Sequence, residues 1–247
     1  MLKILYKIYF WAVVIPVFAI VTILAAMSVI IFCPLGGRKI FSVMPGVLWA
    51  KAACVLSLCR VKVIGRENIT KGRSYVFAAN HQSAYDIFLV YGYIGAPISW
   101  MMKKSLGKIP FVGAACRMLD FIFVDNTSAR AAKKSIQDAE KTIKEQGRSL
   151  VVFPEGSRSP DGHIKPFKRG AFQIAAEQRL PIVPVTLNGP YYVMRTHSWD
   201  VRPHRMEMII HPPIEPIDDE PDFKVLLQRL LEATQTSICS ALWEEFR

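Results

Sequence analysis

The chain has 247 residues, 51% of them hydrophobic, with a mean hydropathy of +0.24 and a formal net charge of +11. This is more apolar than an ordinary soluble protein, and long enough for one sizeable core plus an appendage. Eight basic residues (Lys3, Lys7, Arg38, Lys39, Lys51, Arg60, Lys62 and Arg66) precede the first acid, Glu67, and the rest holds 23 basic against 20 acidic residues, so no broad basic face remains for a nucleic acid.

From Phe10 to Cys33 the chain carries no charged residue. As a helix this run reaches about 36 Å, enough to cross a bilayer. It exceeds the roughly 7 to 15 apolar residues of a signal peptide, and no A-x-A site closes it, so a retained anchor is expected. A second apolar stretch, Phe41 to Cys59, follows the turn-like PLGGRK and carries only Lys51. A lysine at the bilayer centre costs about 2.5 to 3.5 kcal/mol unless it snorkels to the headgroups. Two arrangements fit: a hairpin dipping into one leaflet, which is preferred, or one span followed by an interfacial helix. Residues 1–60 are thus expected to form membrane-anchoring helices and 61–247 a separate domain. Basic residues interleaved with apolar helices suit an anionic membrane surface.

The five cysteines are odd in number and lack metal spacing. They point to a reducing compartment and to no structural zinc.

Beyond Gly65 short apolar runs alternate with helical patterns. Residues 74–79, 98–102, 121–125, 149–153 and 181–187 read as buried strands, and 205–211 as a further one. Ala129, Ala132, Ile136, Ala139 and Ile143 form one helical stripe that Gly147 stops. Residues 222–246 read as a closing amphipathic helix, entered from a solvated loop holding Glu215, Asp218, Asp219, Glu220 and Asp222. Strands alternating with helices predict an α/β fold, a mostly parallel sheet flanked by helices with an N-terminal membrane-embedded two-helix segment.

His81 falls just past the carboxyl end of the strand at 74–79, and Asp86 at the start of the next helix. Open α/β sheets bind ligands at the carboxyl ends of their strands. Five residues of helix would separate the two side chains by about 140°, so His81 is expected in the loop, turned back so that Asp86 accepts from Nδ1 and Nε2 is free as a base. The pair alone is unspecific. VFPEGSRS, residues 152 to 159, strengthens it: a second strand ends there, turns at Pro154 and Gly156, and offers Glu155, Ser157 and Arg158 on one rim. Glycine lets backbone N–H groups approach an anion, and arginine suits bidentate phosphate binding.

In order along the chain stand NHQSAYD (80–86), FIFVDN (121–126), FPEGSRS (153–159), FKRGAF (167–172) and IVPVTL (182–187). Over about residues 60 to 190 this resembles the glycerolipid acyltransferases, particularly the bacterial lysophosphatidic acid acyltransferases. The resemblance implies His81 as general base, Asp86 as its orienting carboxylate, and Glu155, Gly156, Ser157 and Arg158 around a glycerol phosphate, with Lys103 as a further basic contact. Ser157 replaces a usual threonine and keeps its hydroxyl. Asn126 stands where a basic residue is common, which removes one phosphate contact.

The implied reaction moves a fatty acyl group from acyl carrier protein or coenzyme A, as thioester co-substrates, to lysophosphatidic acid, giving phosphatidic acid. It needs no metal and no bound cofactor. The implied partners are a membrane lipid substrate, the thioester carrier and an anionic membrane surface, on the cytoplasmic face, with no nucleic acid. Transfer to another lysolipid is the alternative acceptor, and a lipid-binding protein without turnover is the alternative of a different class. A covalent route through Ser83 or Cys116 lacks a nucleophile signature. His163, His197, His204 and His211 read as loop or surface residues.

Overall fold

A computed structural model describes residues 2–124, 148–216 and 222–247. The apolar N-terminus is helical from Leu2 to Phe41. It comprises α1 (Leu2–Tyr9), a π-helical turn at Phe10–Val14, α2 (Ile15–Phe32), a kinked Cys33–Gly37 segment with Gly36 at φ +88°, and α3 (Arg38–Phe41). Among the described residues this is the one helix long and apolar enough to cross a membrane. The second apolar stretch forms α4 (Met44–Leu56), whose 13 residues span about 20 Å and fall short of a bilayer.

Helix α4 packs against α5 (Tyr85–Tyr93) instead of leaving the domain. Two glycines permit the approach: a Cβ on Gly46 would meet Tyr91 Oη at 2.1 Å, and one on Gly92 would meet Lys51 Cγ at 3.3 Å.

The described residues contribute one seven-stranded sheet, in the order β1-β7-β6-β2-β5-β3-β4. The strands are β1 (Arg60–Ile64), β2 (Val76–Ala79), β3 (Ile98–Lys103), β4 (Ile122–Val124), β5 (Ser149–Val152), β6 (Ile182–Asn188) and β7 (Arg205–Ile210). All neighbouring pairs are parallel except β6 with β7. The expected mixed α/β, mostly parallel architecture is therefore what the chain adopts.

Strand β1 was not anticipated. It is an edge strand whose Arg60, Lys62 and Ile64 are exposed and alternate with half-buried valines, so it lacks the continuous apolarity that marks the central strands. The stripe from Ala129 to Ile143, together with Asp125 and Asn126, lies outside the described residues. The closing helix, here α9 (Phe223–Ser240), ends before the 3-10 turn Glu244–Phe246.

Period-two alternation divides the central strands between two cores. Phe77, Ala79, Val151, Val183 and Val185 face α2, α4 and α5, while Val76, Ala78, Leu150, Val152 and Ile182 face α7 (Gly170–Glu177) and α9. Helix α6 (Val112–Met118) joins the first layer beside α2, and α8 (Pro190–Val193) follows β6. Strands β2 and β5 are direct neighbours, and their carboxyl ends open on the same edge.

Candidate active site

At the end of β2, buried Asn80 is clamped to β6, its Nδ2 donating to the Leu187 carbonyl at 3.0 Å and its Oδ1 accepting from the Leu187 amide at 2.7 Å. The chain turns outward at the next residue, His81. Asp86, wholly buried in the first turn of α5, gathers the loop around one oxygen: Oδ2 accepts from the Gln82 amide at 2.7 Å, the Ser83 amide at 2.8 Å and His81 Nδ1 at 2.8 Å. An anionic side chain is favoured at a helix N-terminus, and three donors on one oxygen hold it there. With Nδ1–H donating to a carboxylate, the free lone pair of the imidazole is on Nε2. Phe153 stacks flat on the ring, with centroids 3.9 Å apart and planes at 9°.

The second loop is tied to the first by Glu155. This carboxylate is buried, and both its oxygens accept backbone N–H groups: Oε1 from His81 at 2.7 Å and Oε2 from Lys165 at 3.0 Å. Burial pushes its pKa up to about 7 against the lowering pull of those two hydrogen bonds. Return contacts reinforce the junction, since the Ser159 amide donates to the His81 carbonyl at 2.7 Å and Gln82 Nε2 donates to the Gly162 carbonyl at 2.6 Å.

Beyond Glu155 the chain reverses at Gly156, whose φ of +74° suits glycine, and a Cβ there would meet Lys168 Nζ at 2.6 Å. The rim that follows is cationic. The half-buried Arg158 guanidinium makes no hydrogen bond or ion pair to a described residue. Lys165 Nζ donates to Ser157 Oγ at 2.5 Å and to the Arg158 carbonyl at 3.1 Å. Lys103 ends β3, which pairs with β5 as far as Trp100 and Val151 and with β4 at Lys103 and Val124.

The structure thus brings together His81, Asp86, Glu155, Gly156, Ser157 and Arg158, with Lys103 on the adjacent strand end. Glu155 serves the two loops through their amides, so its carboxylate oxygens are already engaged. Lys165, Lys168 and Phe153 were not singled out from the sequence. The two lysines stand ten and thirteen positions after Glu155, one just before the FKRG block and one within it, but only the fold turns that segment back over Gly156.

Neither alternative nucleophile is poised. Ser83 Oγ donates its proton to the Met194 carbonyl at 2.7 Å, and burial holds the Cys116 thiol up at about 11. The remaining histidines are engaged elsewhere or at the surface: His211 Nε2 donates to Thr186 Oγ1 at 2.8 Å, which itself donates to the Ile238 carbonyl, and His163 packs edge-on against Phe246.

Comparisons with known proteins converge on this region. A family model described as Acyltransferase matches residues 60–188, which takes in both loops. The 1-acyl-sn-glycerol-3-phosphate acyltransferase of Limnanthes douglasii is 34% identical over 158 residues, 64% of this chain and 56% of that protein. The enzyme of the same name from Pseudomonas aeruginosa is 30% identical over 158 residues, 64% of this chain and 60% of that one. The matched region therefore spans less than two thirds of either relative. Among solved structures, the 1-acyl-sn-glycerophosphate (LPA) acyltransferase PlsC from Thermotoga maritima superposes with a TM-score of 0.78 at 27% identity, covering 98% of both chains.

Proposed function

The chain belongs to the acyltransferase family, and from that premise we propose that it transfers a fatty acyl group from a thioester donor to lysophosphatidic acid, forming phosphatidic acid at a membrane. The observation that carries the reading is the His81–Asp86 pair, with Nδ1 engaged at 2.8 Å and Nε2 left with its lone pair.

In this mechanism His81 Nε2 removes the proton of the acceptor hydroxyl as the oxygen attacks the thioester carbonyl. The tetrahedral intermediate collapses by breaking the C–S bond, and the departing thiolate takes the proton back from the imidazolium. Asp86 keeps the ring in the right tautomer and offsets its transient charge, while Phe153 fixes the ring plane. Arg158, Lys165, Lys168 and Lys103 receive the acceptor phosphate, because charge-assisted bonds to arginine and lysine are the strong ones. Glu155 acts on the backbone, holding the base loop and the phosphate loop in register. The donor is acyl-ACP or acyl-CoA, and no metal or resident cofactor is required.

The N-terminal helix supports a one-sided membrane association. Tyr6 and Tyr9 donate to the Ser57 and Leu56 carbonyls at 3.2 and 3.0 Å, Trp49 Nε1 donates to Thr22 Oγ1 at 2.9 Å, and Arg38 pairs with Asp120. A helix fastened to the domain at both ends and its middle could cross a bilayer only by carrying the domain with it. Lying in one leaflet, it keeps its exposed apolar side chains in lipid and the site at the surface. The five free thiols fit the cytoplasmic face.

The test is acyl transfer by the detergent-purified protein, with acyl-ACP and acyl-CoA, to lysophosphatidate and to a panel of zwitterionic and other lysolipids. Product from lysophosphatidate, reduced about 10²-fold to 10⁴-fold in His81→Ala, is the expected result. Product only from another lysolipid would overturn the acceptor, and no product from either donor would overturn the enzyme reading.

A further inference from the structure

The loop between α8 and β7 carries an outward tryptophan that neither the catalytic site nor the domain core uses. Trp199 is 73% exposed. An exposed indole on a mobile tip would mean little, but this loop is closed at its base and fastened on three sides. The Arg202 amide donates to the Val193 carbonyl at 2.9 Å. Asp200, next to the indole, accepts from Arg202 at 2.6 and 2.9 Å and pairs with Lys7 of α1 at 3.3 Å.

Lys7 belongs to α1 with the exposed Ile4, Leu5 and Ile8, and the 55% exposed Trp11 follows in the π-helical turn that continues it. Trp11 and Trp199 line one groove together with Lys7, Phe10, Asp200 and Val201. The apolar face of the N-terminal helix is therefore continued sideways, off the helix and onto a loop of the catalytic domain. Tryptophan beside Lys and Arg is the composition favoured at the headgroup level of a bilayer, where one edge of the ring is wet and the other apolar.

From this placement we propose that the loop 194–202 is a second lipid contact, in which Trp199 inserts at the headgroup level beside Trp11. The inference rests on the membrane reading above and extends it from the anchor to the catalytic domain. Its root explains why such a contact would matter. Ser83 Oγ donates to the Met194 carbonyl at 2.7 Å, and Thr196 Oγ1 donates to the Ser159 carbonyl at 2.9 Å; Ser159 in turn bonds His81. Three residues of extended chain reach at most about 11 Å, so Trp199 is held within that distance of the Thr196 root. The contact fixes the depth at which the base loop meets the lipid surface.

The test uses the full chain bound to vesicles of anionic and zwitterionic phospholipid whose acyl chains carry bromine at shallow or deep positions. Tryptophan fluorescence is compared among the wild type, Trp199→Phe and Trp11→Phe, and vesicle partitioning is measured for Trp199→Ser. Trp199→Phe should lose much of the quenching by shallow bromine while keeping that through Trp11, and Trp199→Ser should partition about tenfold more weakly. Equal shallow quenching in the wild type and Trp199→Phe, with both bound, would overturn the inference and leave the anchor intact. Loss of self-association in Trp199→Phe without any change in quenching would assign the patch to a protein partner and overturn it as well. Failure of the wild type to bind vesicles would overturn the membrane reading itself.

Discussion

Glu155→Gln tests whether Glu155 is a tie between loops. The wild-type carboxyl is buried with its pKa raised from 4.5 to about 7, and burial is the largest cause. A raised acid is stabilising relative to the unfolded chain below about 4.5, and that contribution is lost as pH rises through about 7. Moving the carboxyl from 4.5 to about 7 corresponds to about 3 kcal/mol between those limits, and the side chain is too buried for solvent screening to reduce it much. Glutamine cannot ionise, so it lacks this dependence, but its NH2 faces one of the two amide donors now satisfied by Oε1 and Oε2, costing about 1 to 3 kcal/mol. Urea unfolding in detergent, followed by tryptophan fluorescence at pH 4.5 and pH 8, should find the wild type more stable than the variant at low pH. The gap should shrink or reverse by about 3 kcal/mol at high pH. A stability difference unchanged between the two pH values would refute the assignment of a buried, ionisable tie.

Three further substitutions probe the site. Asp86→Asn replaces an acceptor of three N–H donors with a neutral amide, and kcat should fall about 10³-fold to 10⁴-fold through the imidazole tautomer, as steady-state assays at saturating acceptor would register. Arg158→Ala should raise KM for lysophosphatidate by about 10-fold to 100-fold, more than for an acceptor lacking phosphate; equal effects on both would remove Arg158 from phosphate recognition. Ser83→Ala removes a hydrogen bond to Met194, costing about 1 kcal/mol in stability while turnover persists, and intact-mass analysis during turnover should find no acyl adduct on the wild type.

The parallel sheet was readable because β2, β5 and β6 are buried on both faces and so appear as continuous apolar runs. Edge strand β1 escaped because its exposed lysine and arginine interrupt that signal. Helix α4 has the composition of a membrane segment, and only its length and the paired glycines Gly46 and Gly92 reveal that it is a cover for α5. Within the site, the histidine and aspartate were legible from the need to bring an i, i+5 pair together around a loop. Lys165 and Lys168 were not, since nothing local to IKPFKRG requires it to fold back over Gly156.

The motif EGSR also shows how adjacent letters take opposite roles. From sequence, Glu155 and Arg158 share one rim, which would set a carboxylate beside a bound phosphate. The turn separates them. Gly156, at φ +74°, lets the chain reverse between them, so that Glu155 points inward to two backbone amides while Ser157 and Arg158 face outward with Lys165. Burial then raises the carboxyl's pKa, which reduces its negative charge near the rim at neutral pH. The repulsion expected from the letters is reduced by the same turn that fastens the base loop. On the proposed reading, positioning the base and clearing the phosphate site are therefore one structural event, and a side chain added at Gly156 should damage both together.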